Sequence, residues 1–124
     1  MSETVVRSIG PVSVAEVSSA PAARPEDRIR AAVERQARAV VLRTLEQTPG
    51  YCLNSRILQN VLDDWALSFT HPGLVALLEW LDREGLVSLR WVEDVVIATL
   101  RRKGAEVACG RDLHDGVERP QPPT

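Results

Sequence analysis

Residues 70–100 read THPGLVALLEWLDREGLVSLRWVEDVVIATL, and this stretch decides the fold. Thr70 is a good N-cap and Pro72 suits the first helical turn, so a helix is expected from Pro72 to Arg83. Leu74, Leu77, Leu78 and Leu81 fall on one face at helical spacing and are expected to meet the core. The opposite face carries Gly73, Ala76, Glu79, Trp80 and Arg83. Gly85 is placed to stop the helix in a left-handed conformation. Two apolar runs follow, Leu86 to Trp91 and Val95 to Leu100, joined by the polar link Val92-Glu93-Asp94. In the first run Val87, Leu89 and Trp91 share a side, with Ser88 and Arg90 on the other, which is the period of a strand.

Working outward, Pro25 opens an earlier helix with Glu26 and Asp27 against the positive end of its dipole. Ile29, Val33, Ala37, Val40, Val41 and Leu45 keep 3-to-4 spacing to about Gln47, where Pro49-Gly50 intervenes. That helix is longer than a minimal three-helix core needs, so its exposed length is either solvated or a dimerisation surface. Tyr51-Cys52-Leu53 reads as a short extended link, and Asn54 or Ser55 as the cap of a second helix. The apolar stripe of that helix is Ile57, Leu58, Val61, Leu62 and Trp65, with Asp63 and Asp64 as a solvated edge. After the hairpin, Arg101 to Cys109 reads as a closing helix with Val107 and Ala108 inward and Gly110 as its stop.

The elements add up to a mainly α chain with a small β-hairpin: a winged helix-turn-helix with three helices, a two-stranded wing and a C-terminal helix. The expected boundaries are a disordered N-terminal arm over 1–24, the domain over 25–110 and an extended Pro-rich tail over 111–124. A chain of 124 residues is a one-domain length. No apolar run approaches the ~18 residues that span a bilayer, and the start shows no basic segment leading into an apolar one. The expectation is a cytoplasmic protein, reduced, with Cys52 and Cys109 as buried small apolar residues. No nucleophile–base pair, glycine-rich phosphate loop or clustered metal ligands appear, so neither an enzyme nor a cofactor or metal is expected.

Three pieces carry a family resemblance. They are Glu79-Trp80-Leu81-Asp82-Arg83-Glu84-Gly85-Leu86-Val87; Ile97-Ala98-Thr99-Leu100 followed by Lys103-Gly104-Ala105-Glu106-Val107-Ala108; and Gly110-Arg111 leading to Gly116-Val117-Glu118-Arg119-Pro120. Tyr51 and Asn54 after Pro49-Gly50 fit as well. From about Asp27 to Pro122 the chain resembles the small winged-helix proteins of Mu-like phages and prophages, the arsenic-repressor-like transcriptional regulators. The resemblance implies a winged-helix fold, a phage or prophage origin, the cytoplasm of a bacterial host and binding to double-stranded DNA. Two positions depart from the family pattern. His71-Pro72 stands where a polar charged pair opens the third helix, and Arg101 stands where a Thr caps the last. The metal-sensing arsenic repressors carry a thiolate pair in the third helix, and this helix has no cysteine.

The residues expected to touch DNA are His71, Arg83, Arg90, Arg101, Arg102 and Lys103. Charge limits where such a surface can lie: net charge is −2, and from Tyr51 to Gly110 six basic residues face eight acids. Affinity for duplex comes from neutralising phosphates, so any basic patch must be local. The alternative is an adaptor for phage morphogenesis or DNA packaging that binds phage proteins. There, the small strip Gly73-Ala76 beside Trp80 would form the interface. A homodimer through the first helix is the oligomer the sequence allows.

Overall fold

The structure is a computed structural model that describes residues 24–120. The expected N-terminal arm, apart from Arg24, lies outside the described residues. The chain divides into two units, one ending at Ala31 and one running from Ala32. The described part of the first is the opening of helix α1 (Pro25–Glu46), whose residues are exposed and carry the ion pairs Arg24–Glu26 (3.8 Å) and Arg30–Asp27 (3.7 Å).

The second unit continues α1. A 3-10 turn at Pro49–Tyr51 then leads to strand β1 (Cys52–Asn54) and helix α2 (Ser55–Asp64). Helix α3 (His71–Arg83), strands β2 (Val87–Val92) and β3 (Val95–Leu100) and helix α4 (Arg102–Ala108) follow. Helix α3 starts at His71, one residue before its expected first turn at Pro72, and is capped by Thr70, whose hydroxyl accepts from Gly73 N–H at 3.1 Å. Asn54 caps α2 in the same way, accepting from Ile57 N–H at 3.0 Å.

The segment expected to be an extended link is instead a third strand. β1 pairs antiparallel with β3, Cys52 opposite Thr99 and Asn54 opposite Ile97, and the sheet order is β1-β3-β2. Three residues are too few to show an alternation, so the pairing has no local signature. The hairpin is tighter than expected: Val92 pairs with Val95, leaving a two-residue turn, with Glu93 in the left-handed region at φ 53°.

Helices α2, α3 and α4 end alike. Leu67 N–H reaches Leu62 C=O while Ala66 N–H reaches Asp63 C=O; Leu86 and Gly85 do the same to Leu81 and Asp82, and Arg111 and Gly110 to Glu106 and Val107. This double bond closes the last turn only if the residue after the cap is left-handed. Gly85 and Gly110 take that conformation freely, whereas at α2 it is Ala66, at φ 58°.

The core is one cluster. α1 contributes Ala37, Val41, Leu42 and Leu45, α2 Leu58 and Leu62, α3 Leu74, Leu77, Leu78 and Leu81, and the sheet Val87, Val96 and Ala98. Each buried leucine is worth roughly 1.5–3 kcal/mol. Val107 and Ala108 close one side and Val117 of the tail another. Three residues expected on apolar faces are exposed: Ile29 (64%), Ile57 (44%) and Trp65 (48%). They sit at the margins of stripes wider than the core they cover. Trp91 shares its side with Val87, as expected, but lies at the hairpin tip and is 56% exposed. Cys52 and Cys109 are also exposed, contrary to the expectation of burial. Cys52 faces away from the core at an edge strand, and Cys109 caps the outer end of α4.

Candidate nucleic-acid interface

The residues expected to contact DNA do not form one surface. His71 begins α3 and Arg83 ends it, so about 20 Å of helix separates them. His71 is turned inward. Its Nε2 lies 2.8 Å from the Ser55 hydroxyl, which also accepts a hydrogen bond from Val96 N–H at 3.0 Å. Ser55 is fully buried at the first position of α2, so one hydroxyl ties the starts of α2 and α3 to the start of β3. A phosphate or base edge would have to compete with that bond. Ser55 was not legible as a structural hub, because its partners come from 16 and 41 residues away.

At the other end of α3 the chain gathers cations. Lys103 donates from Nζ to Glu84 C=O at 3.2 Å, and Arg101 N–H donates to Leu86 C=O at 3.0 Å. These bonds dock the start of α4 on the turn that leaves α3, and so bring Arg83 to the same end of the domain as Arg101, Arg102 and Lys103. Lys103 acts there as a cap for the last carbonyls of α3. Arg83, Arg101 and Arg102 are exposed, and none of them forms an ion pair with another described residue. Arg101 and Arg102 line an open depression of about 270 Å³ with exposed Tyr51, Leu100, Ala105 and Glu46. Arg102 also borders a second depression with Arg111. Arg90 is exposed on the outer face of the sheet, opposite Ile97.

The hairpin tip has the opposite character. Six-residue strands set it about 20 Å from the basic end. It carries Glu93 and Asp94, exposed Trp91 and half-exposed Val92. Arg56 of α2 meets Asp94 at 3.4 Å, a solvent-exposed pair of little energetic weight. Between the two ends, the exposed positions of α3 are Pro72, Ala76, Glu79, Asp82 and Arg83.

The Gly73-Ala76-Trp80 strip is partly occupied by the protein itself. The Arg38 guanidinium lies 4.0 Å from the Trp80 ring centroid, and His114 meets the ring edge-on at 5.3 Å. His114 Nε2 is 2.8 Å from Glu84 Oε1, and Arg38 donates to Gly116 C=O at 2.9 Å. Arg35 donates to Asp115 C=O, and Glu118 N–H returns a bond to Arg35 C=O at 3.2 Å. The tail is thus bolted across α1 and α3. Burial holds the Arg38 guanidinium below its ordinary pKa, and Glu34 and Glu84 partly offset that. Gly73 and Ala76 remain on the wall of a depression of about 140 Å³ with Phe69 and Arg83. The sequence could have signalled the seat through Gly116, since a residue without a Cβ permits close approach of another group to the backbone.

No family profile and no solved structure matches the chain. Among curated proteins it is 32% identical over 85 residues to the uncharacterized protein gp26 of Escherichia phage Mu, an alignment covering 68% of this chain and 88% of that protein. No described helix is long and apolar enough to cross a membrane.

Proposed function

The chain belongs to the family of that Mu protein, and from this premise we propose that it is a winged-helix, DNA-binding protein of Mu-like phage type, acting as a transcriptional regulator. The element order α1-β1-α2-α3-β2-β3 with sheet order β1-β3-β2 supports the winged-helix reading, in which α2 and α3 form the helix-turn-helix and β2–β3 the wing. The observation that carries the DNA reading is the docking of α4 on the end of α3, which gathers Arg83, Arg101 and Arg102 at one exposed end. In this reading those three residues hold the phosphate backbone, and Arg90, exposed further along the outer face of the sheet, adds to them. The inward His71 and the small, acidic face of α3 supply little base readout, so affinity is electrostatic and sequence preference modest.

The test is a fluorescence-anisotropy titration of a labelled duplex over a series of salt concentrations. Binding should weaken steeply with salt. The Arg83→Ala/Arg101→Ala/Arg102→Ala variant should flatten the log–log slope by up to about 0.9 for each phosphate that is no longer neutralised. A wild-type protein that leaves the duplex unbound at low salt contradicts the reading.

A second reading is an adaptor that binds phage proteins, and the exposed Trp91 and Val92 beside Glu93 and Asp94 favour it. An aromatic anchor with an acidic rim suits a basic protein partner better than a phosphate. A Trp91→Ala variant that folds and keeps its DNA affinity but loses a phage protein partner would favour this second reading.

A further inference from the structure

Tyr51 holds a backbone conformation that its residue type disfavours. It is left-handed at φ 60°, directly after Gly50 at φ 81°, and a bulky side chain in that region is an outlier. Packing does not compensate, because the residue is 55% exposed and stands outside the core. The turn is nonetheless closed: Tyr51 N–H donates to Thr48 C=O at 2.9 Å, and the Thr48 hydroxyl donates to Thr44 C=O at 2.6 Å. Strain held in this way is characteristic of ligand-binding positions. The strand register gives the surroundings of the ring. Cys52 pairs with Thr99, so Tyr51 comes level with Leu100 and next to Arg101 and Arg102. These four residues, with Ala105 and Glu46, line the open depression of about 270 Å³. Its lining is thus one aromatic ring, two aliphatic side chains, two guanidinium groups and one carboxylate. Arg101, Arg102 and Glu46 are exposed and form no ion pair with another described residue.

We infer that this depression takes one unpaired nucleotide at a DNA strand end, its base stacked on Tyr51 and its phosphate held by Arg101 and Arg102. The inference rests on the DNA reading above, since it uses two of the same arginines, and it narrows the ligand to DNA with a single-stranded end. An aromatic ring beside guanidinium groups is the combination that single strands need, because every base has a face to stack and every nucleotide a phosphate to neutralise. The size agrees. At about 270 Å³ the depression is smaller than most clefts for drug-sized ligands, which run from about 300 to 1,000 Å³, and it suits one base and not a base pair. A base inside a duplex has both faces covered by its neighbours, and drawing it out costs unstacking, so the site fills where a strand is already unpaired. Glu46 repels phosphate and is therefore assigned to the base edge. There a carboxylate accepts from the exocyclic amine of cytosine, where thymine carries a carbonyl.

Fluorescence anisotropy at fixed low salt, on duplexes that differ only at their unlabelled end, tests the inference. An extension of a few unpaired cytosines should tighten binding by about tenfold over the blunt duplex, the effect of one stacked base. The same extension made abasic should bring no gain, and unpaired thymines should bring less than cytosines. Tyr51→Ala should lose the gain and Tyr51→Phe should keep it. Equal affinity of the wild type for blunt and extended duplex overturns this inference and leaves the DNA reading standing, whereas a protein that binds neither overturns both. A gain that survives in the abasic extension or in Tyr51→Ala comes from the added phosphates and overturns the stacking. An equal gain from thymines overturns the assignment of Glu46. If free deoxycytidine monophosphate shifts the Tyr51 ring signals while the extension brings no gain, the ligand is a free nucleotide and the strand-end assignment fails.

Discussion

Arg38 lies over the Trp80 ring, its guanidinium carbon 4.0 Å from the ring centroid, and the same guanidinium donates to Gly116 C=O at 2.9 Å. One side chain of α1 therefore clamps a side chain of α3 and the backbone of the tail. A half-buried guanidinium over a tryptophan is worth roughly 0.5–2 kcal/mol, and the tail adds the buried Val117.

Gly116→Ala tests the clamp. A Cβ at this position would sit 2.6 Å from Trp80 Cζ2 and 3.3 Å from Arg38 Nη1, too close for ring and tail to keep their places. The expected cost is about 1–3 kcal/mol, and for a domain of this size each kcal/mol lowers the melting temperature by roughly 4–8 °C. Hydrogen exchange should quicken at Val117 and Glu118. A melting temperature equal to wild type would show that the tail does not hold this seat.

Ser55→Ala should weaken the domain out of proportion to the single atom removed. The change leaves Val96 N–H buried without its acceptor and frees His71. Leaving a buried donor unpaired costs about 1–3 kcal/mol, measurable by urea unfolding. Ser55→Thr, which keeps the hydroxyl, should recover part of the loss. If Ser55→Ala is neutral, the hydroxyl does not join α2, α3 and β3.

Ala66→Gly should stabilise the protein. Ala66 holds the left-handed position that Gly85 and Gly110 fill at the ends of α3 and α4. Relief of roughly 1–2 kcal/mol of backbone strain outweighs the ~0.4–1 kcal/mol by which glycine loosens the unfolded chain. Ala66 is exposed, so no packing is lost. Thermal unfolding should show a rise of a few degrees; a fall would mean that the α2 terminus is not strained.

Much of this architecture could be read from local chemistry. Thr70, Asn54, Gly85 and Gly110 mark helix ends because each satisfies or releases the backbone within four residues of itself, and the leucines of α3 repeat often enough to fix its inner face. What could not be read depends on partners distant in sequence. β1 exists only because β3 lies beside it, and three residues carry no period. His71 looked like an open contact residue because nothing near it announces Ser55. That Trp80 packs under the tail could be expected, but not which residues cover it, because His114 and Gly116 arrive more than 30 residues later. The candidate surface changed for the same reason: Arg83 and Arg101–Lys103 are separate runs in the chain, joined where Lys103 reaches Glu84 and Arg101 reaches Leu86.

Nuclear magnetic resonance mapping of duplex binding is the most direct test of the proposed function. On titration with a short duplex at low salt, the Nε–Hε signals of Arg83, Arg101 and Arg102 should shift progressively, with those of Arg90 following. The backbone amides of Glu93 and Asp94, and the ring signals of His71, should stay in place. Shifts concentrated on the hairpin tip and the start of α3, with the three arginines unmoved, would contradict the account.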